Sequence, residues 1–161
     1  MQEISAGILI YRFNENNELE VLLGKNGGPY FANRNSNVWN IPKGHVEQDE
    51  NLLTCAIREF TEETSLHIPD SKIIELMYLG EAKTSQNKKV VHIFTLEHDF
   101  NPAGNEVQIS SNVCQIEYPA KSGIIINIPE LSEAKYFNIK QAYKAIFTYQ
   151  QVFLDKLQQL I

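Results

Sequence analysis

Residues 44–66 read GHVEQDENLLTCAIREFTEETSL, and the second half of this stretch decides how the chain is organised. From Glu50 to Leu66 the apolar side chains Leu53, Ala56, Ile57 and Phe60 recur at spacings of three, one and three, and Thr64 continues the stripe. That is the period of an α-helix with one face against a core. On a helix turning about 100° per residue, Glu59, Glu62 and Glu63 fall within a single arc beside the stripe. Carboxylates at i, i+3 and i+4 repel one another, and burial at the edge of a core worsens the repulsion unless a cation lies between them. Oxygen ligands of this kind suit magnesium or manganese. An isolated Glu-x-x-Glu-Glu run is more often a solvated acidic face, so the flanking residues have to decide.

Upstream, Glu3-Ile-Ser-Ala-Gly-Ile-Leu-Ile-Tyr11 and Leu19-Glu-Val-Leu-Leu23 predict two strands of a hairpin, parted by the turn formers Asn14-Glu15-Asn16-Asn17. Residues 24–37 carry Gly27-Gly28-Pro29 and several Asn and Ser residues, which predicts a long loop whose Tyr30 and Phe31 could line a pocket. Downstream, strands are expected at about 73–82, 89–97 and 123–128. From Asn138 to Leu160, apolar side chains at steps of three and four predict one amphipathic closing helix. Interleaved strands and helices without repeats or a linker predict an α/β domain, a mixed sheet between helices, in one unit over residues 1–161.

With 161 residues and 43% apolar content the chain can bury one core. Its apolar runs are too short to span a bilayer and Met1-Gln2-Glu3 opens with an acid, so a cytoplasmic protein without membrane contact is expected. Cys55 and Cys114 form no Cys-x-x-Cys pair and read as two buried thiols. The formal charge of −6 argues against a nucleic-acid partner. It leaves room for a small polyanionic substrate, because bound metal reverses the local field. A monomer and a homodimer fit the sequence equally well.

Reading from Gly44, the pattern is five residues, Glu50, seven residues, then Arg58-Glu59-Phe60-Thr61-Glu62-Glu63-Thr64-Ser65-Leu66. This resembles the Nudix box over its full 23 positions, with one departure: Ser65 stands where the family has glycine, near a helix end that favours a left-handed backbone. Serine there is expected to cost on the order of 1 kcal/mol of stability and to leave the metal ligands intact. The resemblance implies a Nudix α/β/α sandwich and hydrolysis of a phosphoanhydride in a nucleoside diphosphate-linked compound. It also implies Mg2+ or Mn2+ bound by Gly44, Glu59, Glu62 and Glu63, with Glu59 doubling as candidate base. Physically, Gly44 permits a tight loop, and Glu50 and Arg58 can pair across the loop-helix junction. In the family a further acid precedes the aromatic of the last strand by about six positions. Glu130 ahead of Tyr136-Phe137 matches that spacing, with Glu106, Glu117 and Glu133 as weaker candidates.

Similarity continues outside the box. Ser5-Ala6-Gly7-Ile8, Gly27-Gly28-Pro29-Tyr30-Phe31, Trp39-Asn40-Ile41-Pro42-Lys43-Gly44 and Glu117-Tyr118-Pro119 resemble a bacterial subgroup of predicted nucleoside triphosphate pyrophosphohydrolases. Pro42-Lys43-Gly44-His45-Val46-Glu47 is similar to the start of the box in asymmetric diadenosine tetraphosphate hydrolases. A triphosphate or a dinucleoside polyphosphate is therefore the expected substrate, with ADP-ribose, nucleotide sugars and a non-catalytic nucleotide-binding domain as alternatives. Lys43, His45, Arg34 and Tyr118 are candidate substrate contacts, as cations or stacking rings. Lys83 and Lys121 are further cations, and Trp39 reads as packing at the base of the loop.

Overall fold

The computed structural model describes residues 2–161. Strand β1 (Glu3–Phe13) organises the sheet, because its apolar run is buried on both faces. Ala6, Ile8 and Ile10 point to one side, while Leu9 points to the other. β1 pairs antiparallel with β2 (Leu19–Asn26) as the expected hairpin, with Tyr11 opposite Val21. The short β4 (Lys43–His45) pairs antiparallel with Ser5–Gly7 on the same edge as β2, and the other edge of β1 pairs in parallel with β6 (Lys89–Glu97). β3 (Trp39–Asn40) pairs with β2. The main order is β5 (Met77–Lys83), β6, β1, β2, β10 (Leu131–Asn138), β7 (Glu106–Val107). A separate hairpin joins β8 (Val113–Glu117) to β9 (Ile125–Pro129).

Helix α1 (Leu52–Thr64) lays Cys55, Ala56 and Phe60 on the Ala6-Ile8-Ile10 face. α2 (Ile139–Ala145) and α3 (Gln151–Leu160) cover the opposite face with Ala142, Phe153, Leu154 and Leu157, over Leu9, Val21, Leu23 and Ile93. The fold is thus a mixed sheet between helices, the α/β/α sandwich expected. Among the described residues, no helix is long and apolar enough to cross a membrane.

Several elements differ from the sequence reading, which expected no strand at β3, β4, β7 or β8. The predicted closing helix is two helices, because residues 146–150 turn back onto the β3 segment. The Phe147 amide donates to the Trp39 carbonyl at 3.0 Å, and Asn37 Oδ1 accepts from the Thr148 amide at 2.9 Å. The run Phe147-Thr148-Tyr149, aromatic and β-branched, is also a poor helix interior. Asp70–Glu75 forms a 3₁₀ turn, which leaves Ile74 exposed and delays the expected strand to Met77. β10 has no clean alternation because a bulge interrupts its pairing between Leu131 and Glu133. Of the two thiols, Cys55 is buried as expected, whereas Cys114 is only partly so. Trp39 packs edge-on against Phe137 at 4.8 Å, in keeping with a packing role.

Candidate functional site

Asn51 starts α1 by accepting the Thr54 amide at 2.8 Å, a helix cap that fixes where the helix begins relative to the preceding loop. Arg58, almost two turns later, reaches back across that loop. Its Nε and Nη2 donate to the two oxygens of Glu50 at 2.8 and 2.9 Å, and Nη2 also donates to the His45 carbonyl at 3.0 Å. This fork fixes the helix against β4. The bond to Arg58 and the Glu47 amide hold the Glu50 carboxyl down at about 2. Arg58 Nη1 then lies between two more acids, 2.8 Å from Glu59 Oε1 and 3.2 Å from Glu62 Oε2.

Gly44 sits in β4 opposite Ala6, and its backbone is not left-handed. A Cβ there would lie 2.0 Å from the Glu59 carboxylate. Glycine here leaves room for the Glu59 carboxylate in the pose that Arg58 holds and serves no tight turn, a different reason from the one the sequence suggested. The Gly44 carbonyl lies 3.5 Å from the Cys55 thiol, a long contact that ties the loop to the helix. Burial pushes that thiol up to about 11, so it stays protonated.

Glu59, Glu62 and Glu63 line one cavity of about 450 Å³ together with Gly44, Lys43, His45 and, from the start of β10, Glu130. Backbone bonds position Glu130: its amide donates to the Asn112 carbonyl at 2.9 Å, and its carbonyl accepts from Gly27. Burial pushes Glu63 up to about 8, with Glu130 and Glu59 adding to the shift and Lys43 opposing it. Glu59 is raised by burial against the pull of Arg58. Lys43 and Lys89, on the same wall, are both lowered by burial. Four carboxylates thus face two ammonium groups in a partly desolvated space.

The donor set of this cavity fits a hard divalent cation: oxygen ligands, a glycine that leaves room for Glu59, and a glutamate burdened by neighbouring acids. Among the described residues, no three acidic, histidine or cysteine side chains already converge as a ready cage. Arg58 occupies oxygens of both Glu59 and Glu62, which accounts for part of that openness. A proton on Glu63 has a measurable consequence. The folded state holds it up to about pH 8, while the ordinary carboxyl releases it near 4.5. Between those values the folded state binds more protons, so the stability of the chelated protein falls as pH rises. Urea midpoints in EDTA should be higher at pH 6 than at pH 8, and Glu63→Gln should flatten the difference. Magnesium bound at Glu63 would raise the midpoint more at pH 8, where less of the carboxyl has to give up its proton.

Other candidates separate clearly. Lys43 and His45 line the cavity; Arg34 and Tyr118 do not. Arg34 lies 5.7 Å over the Phe31 ring, and Tyr118 packs edge-on against Tyr30 at 5.2 Å. Phe31 packs against the core, so neither loop aromatic lines this pocket. Glu117 caps the turn that follows it, accepting the Lys121 and Gly123 amides, while Glu106 and Glu133 line a different depression. Lys89, Tyr149, Phe147, Asn26, Asn40 and Asn112 line the cavity without having been singled out in the sequence. Only the strand pattern at 89–97 carried any signal for Lys89, and only the poor helix formers at 147–149 hinted at the break between α2 and α3 that brings in Phe147 and Tyr149.

Ser65 ends α1 with φ 60° and ψ 12°, the left-handed cap expected. Its hydroxyl donates to the Ser110 carbonyl, and its amide to Thr61 at 2.8 Å. The hydroxyl bond offsets the expected cost of serine. Ser65→Ala should therefore lose about 1 kcal/mol in chemical denaturation, and Ser65→Gly should stay within about 0.5 kcal/mol of the parent.

A NUDIX domain model matches residues 1–156. The chain belongs to the Nudix family. Its segment of 29 residues that is 62% identical to the mRNA-decapping protein g5R of African swine fever virus covers 18% of this chain. The likeness spans only 12% of that viral protein's length. A C. elegans Ap4A hydrolase binary complex superposes with a TM-score of 0.60 at 21% identity, over 97% of this chain and 96% of that one. The NUDIX domain of Shewanella oneidensis NrtR, complexed with ADP ribose, gives 0.63 at 14% identity, over 100% and 90%. These two structural likenesses establish a shared Nudix fold.

Proposed function

We propose that this Nudix protein, as one unit over residues 1–161, hydrolyses a phosphoanhydride bond in a nucleoside diphosphate-linked substrate, by attack of water on phosphorus. The observation that carries the reading is the joining of Glu59, Glu62, Glu63 and Glu130 with Lys43 in one cavity, behind an Arg58–Glu50 brace. A divalent cation, Mg2+ or Mn2+, held by the glutamates and the Gly44 carbonyl would supply positive charge against phosphoryl oxygens and acidify water.

The chain's own groups perform the remaining work. Arg58 and Glu50 hold α1 against the loop, so that Glu59 and Glu62 keep a fixed separation. Glu59, in the same cluster as Glu62 and Glu63, is the candidate to accept a proton from water. Lys43 and His45 bind phosphoryl oxygens on the near wall, and Lys89 reaches the same space. Exposed Arg34 and Tyr118 belong to a second rank of substrate contacts, needing a ligand that extends beyond the cavity. A nucleoside triphosphate or a dinucleoside polyphosphate such as diadenosine tetraphosphate suits a site with cations on one side and acids on the other. The Ap4A hydrolase likeness agrees with that class, and the ADP ribose bound by the NrtR domain keeps ADP-ribose and nucleotide sugars within the panel to test.

With magnesium or manganese, purified protein should release phosphate-containing products from at least one member of that panel, and EDTA should stop the release. Tight nucleotide binding without turnover across the panel would replace the enzyme with a nucleotide-binding regulatory domain.

A further inference from the structure

Besides the glutamates, the cavity is lined by the amides of Asn26 and Asn40, whose orientation is set from one buried point. Gln150 is fully buried, and its Oε1 accepts the Ile41 amide at 3.0 Å. A backbone N–H can only donate, so this bond fixes which end of the Gln150 amide is oxygen. Its Nε2 must then donate, and it does so twice: to Asn40 Oδ1 at 3.1 Å and to the Tyr149 hydroxyl oxygen at 3.0 Å. Asn40, held by its oxygen, donates through Nδ2 to Asn26 Oδ1. Asn26 is left with its NH2 group directed away from the relay. Tyr149 likewise accepts from Gln150 and retains its own O–H as donor. Asn26, Asn40 and Tyr149 all line the cavity that holds the glutamates, beside Lys43 and Lys89.

We propose that Gln150 is a positioning residue that polarises this wall, so that the Asn26 amide and the Tyr149 hydroxyl offer N–H and O–H donors, beside two ammonium groups, to an anionic oxygen-rich group. The group it fits is the phosphate portion of the substrate that is not cleaved. A base edge carrying amino groups is disfavoured there, because it would set donor against donor. The polarity is determined at Ile41, which lies next to the Lys43–His45 strand, so the acidic and the donor walls are held by the same short segment. This inference rests on the hydrolase reading only for the source of the phosphate; the donor wall itself follows from the relay.

Inorganic pyrophosphate in magnesium-containing buffer is the probe, titrated calorimetrically into the full chain. Asn26→Asp replaces the free amide with an acceptor and should weaken binding at least tenfold. Gln150→Glu offers two acceptor oxygens, so Asn40 and then Asn26 reverse and Tyr149 turns its proton inward; binding should weaken comparably. Asn112→Asp adds the same charge to the cavity outside the relay and should weaken binding less than threefold. For any nucleotide that is cleaved, Gln150→Glu should raise KM by a larger factor than it lowers kcat. Because Gln150 is buried, Asn26→Asp supports the test if Gln150→Glu does not fold. Pyrophosphate affinity in Asn26→Asp equal to the parent's, or a loss in Asn112→Asp as large as in Asn26→Asp, overturns the inference. If no nucleotide is cleaved while the pyrophosphate pattern holds, the donor wall stands and the hydrolase reading falls.

Discussion

Glu62→Gln and Glu63→Gln should each lower the hydrolysis rate by at least about a thousandfold, with the protein still folded. Glutamine keeps the shape of the side chain but removes the charge. Charge stabilisation of a phosphoryl transition state contributes several kcal/mol, and each 1.36 kcal/mol is tenfold in rate. Glu63 is buried at the bottom of the acidic cluster, and Glu62 is more open and shares Arg58 with Glu59. The two should therefore differ in stability while agreeing in rate. Glu63→Gln removes a desolvated acid and should hold or raise the melting temperature at pH 8, whereas Glu62→Gln should change it little. Steady-state rates on the best substrate, with thermal melts of the same preparations, decide the matter. A loss of less than tenfold in both variants would mean that the cluster does not hold the reacting metal.

Arg12→Ala should have the largest effect on folding, on the order of 3–5 kcal/mol, because it removes one partner of a buried pair and leaves the other without compensation. Arg12 is 7% exposed and Glu20 8%. The guanidinium donates to Glu20 at 2.8 Å, to Asp99 at 2.9 Å, to the Asn101 and Gly104 carbonyls and to Asn105 Oδ1, and it lies 3.8 Å from the Tyr136 ring centre. One side chain thus ties the β1–β2 hairpin to the 99–105 loop. Glu20 would remain buried, with the Asn14 amide as its remaining side-chain hydrogen-bond donor among the described residues. Urea denaturation should show the loss, and Arg12→Ala/Glu20→Leu should recover much of it by removing the orphaned charge. An equal loss in the double variant would show that packing, not the buried charge, dominates.

Much of this architecture was legible because period and composition report burial directly. The stripe Leu53-Ala56-Ile57-Phe60 placed α1, and the apolar run 6–10 placed the central strand, since both faces of β1 are covered. The spacing of Gly44, Glu50, Arg58 and the three glutamates forecast a brace and an acidic edge, both of which the side chains form. Glu130 was reached through its distance from Tyr136, and it lines the cavity because a backbone bond to Asn112 places the start of β10 there. What was hidden depends on contacts between distant segments. The kink at 146–150 answers to Trp39 and Asn37, more than a hundred residues away, and the poor helix formers at 147–149 were its one local trace. Lys89 and Tyr149 are ordinary residues until the parallel pairing of β1 with β6 and that kink bring them together. Arg34 and Tyr118 show the converse, residue types suited to phosphate or a base whose loops place them outside the cavity.

The central claim is that water attacks phosphorus in a metal-dependent hydrolysis. Running the reaction in oxygen-18 water with magnesium, on the best substrate of the nucleotide panel, and weighing the products by mass spectrometry tests it most directly. One heavy oxygen per turnover is expected, in a phosphate-bearing product, with the amount of labelled product falling about a thousandfold in Glu63→Gln and none formed in EDTA. Label that enters only a product without phosphorus, or product formation that persists in EDTA, would contradict it.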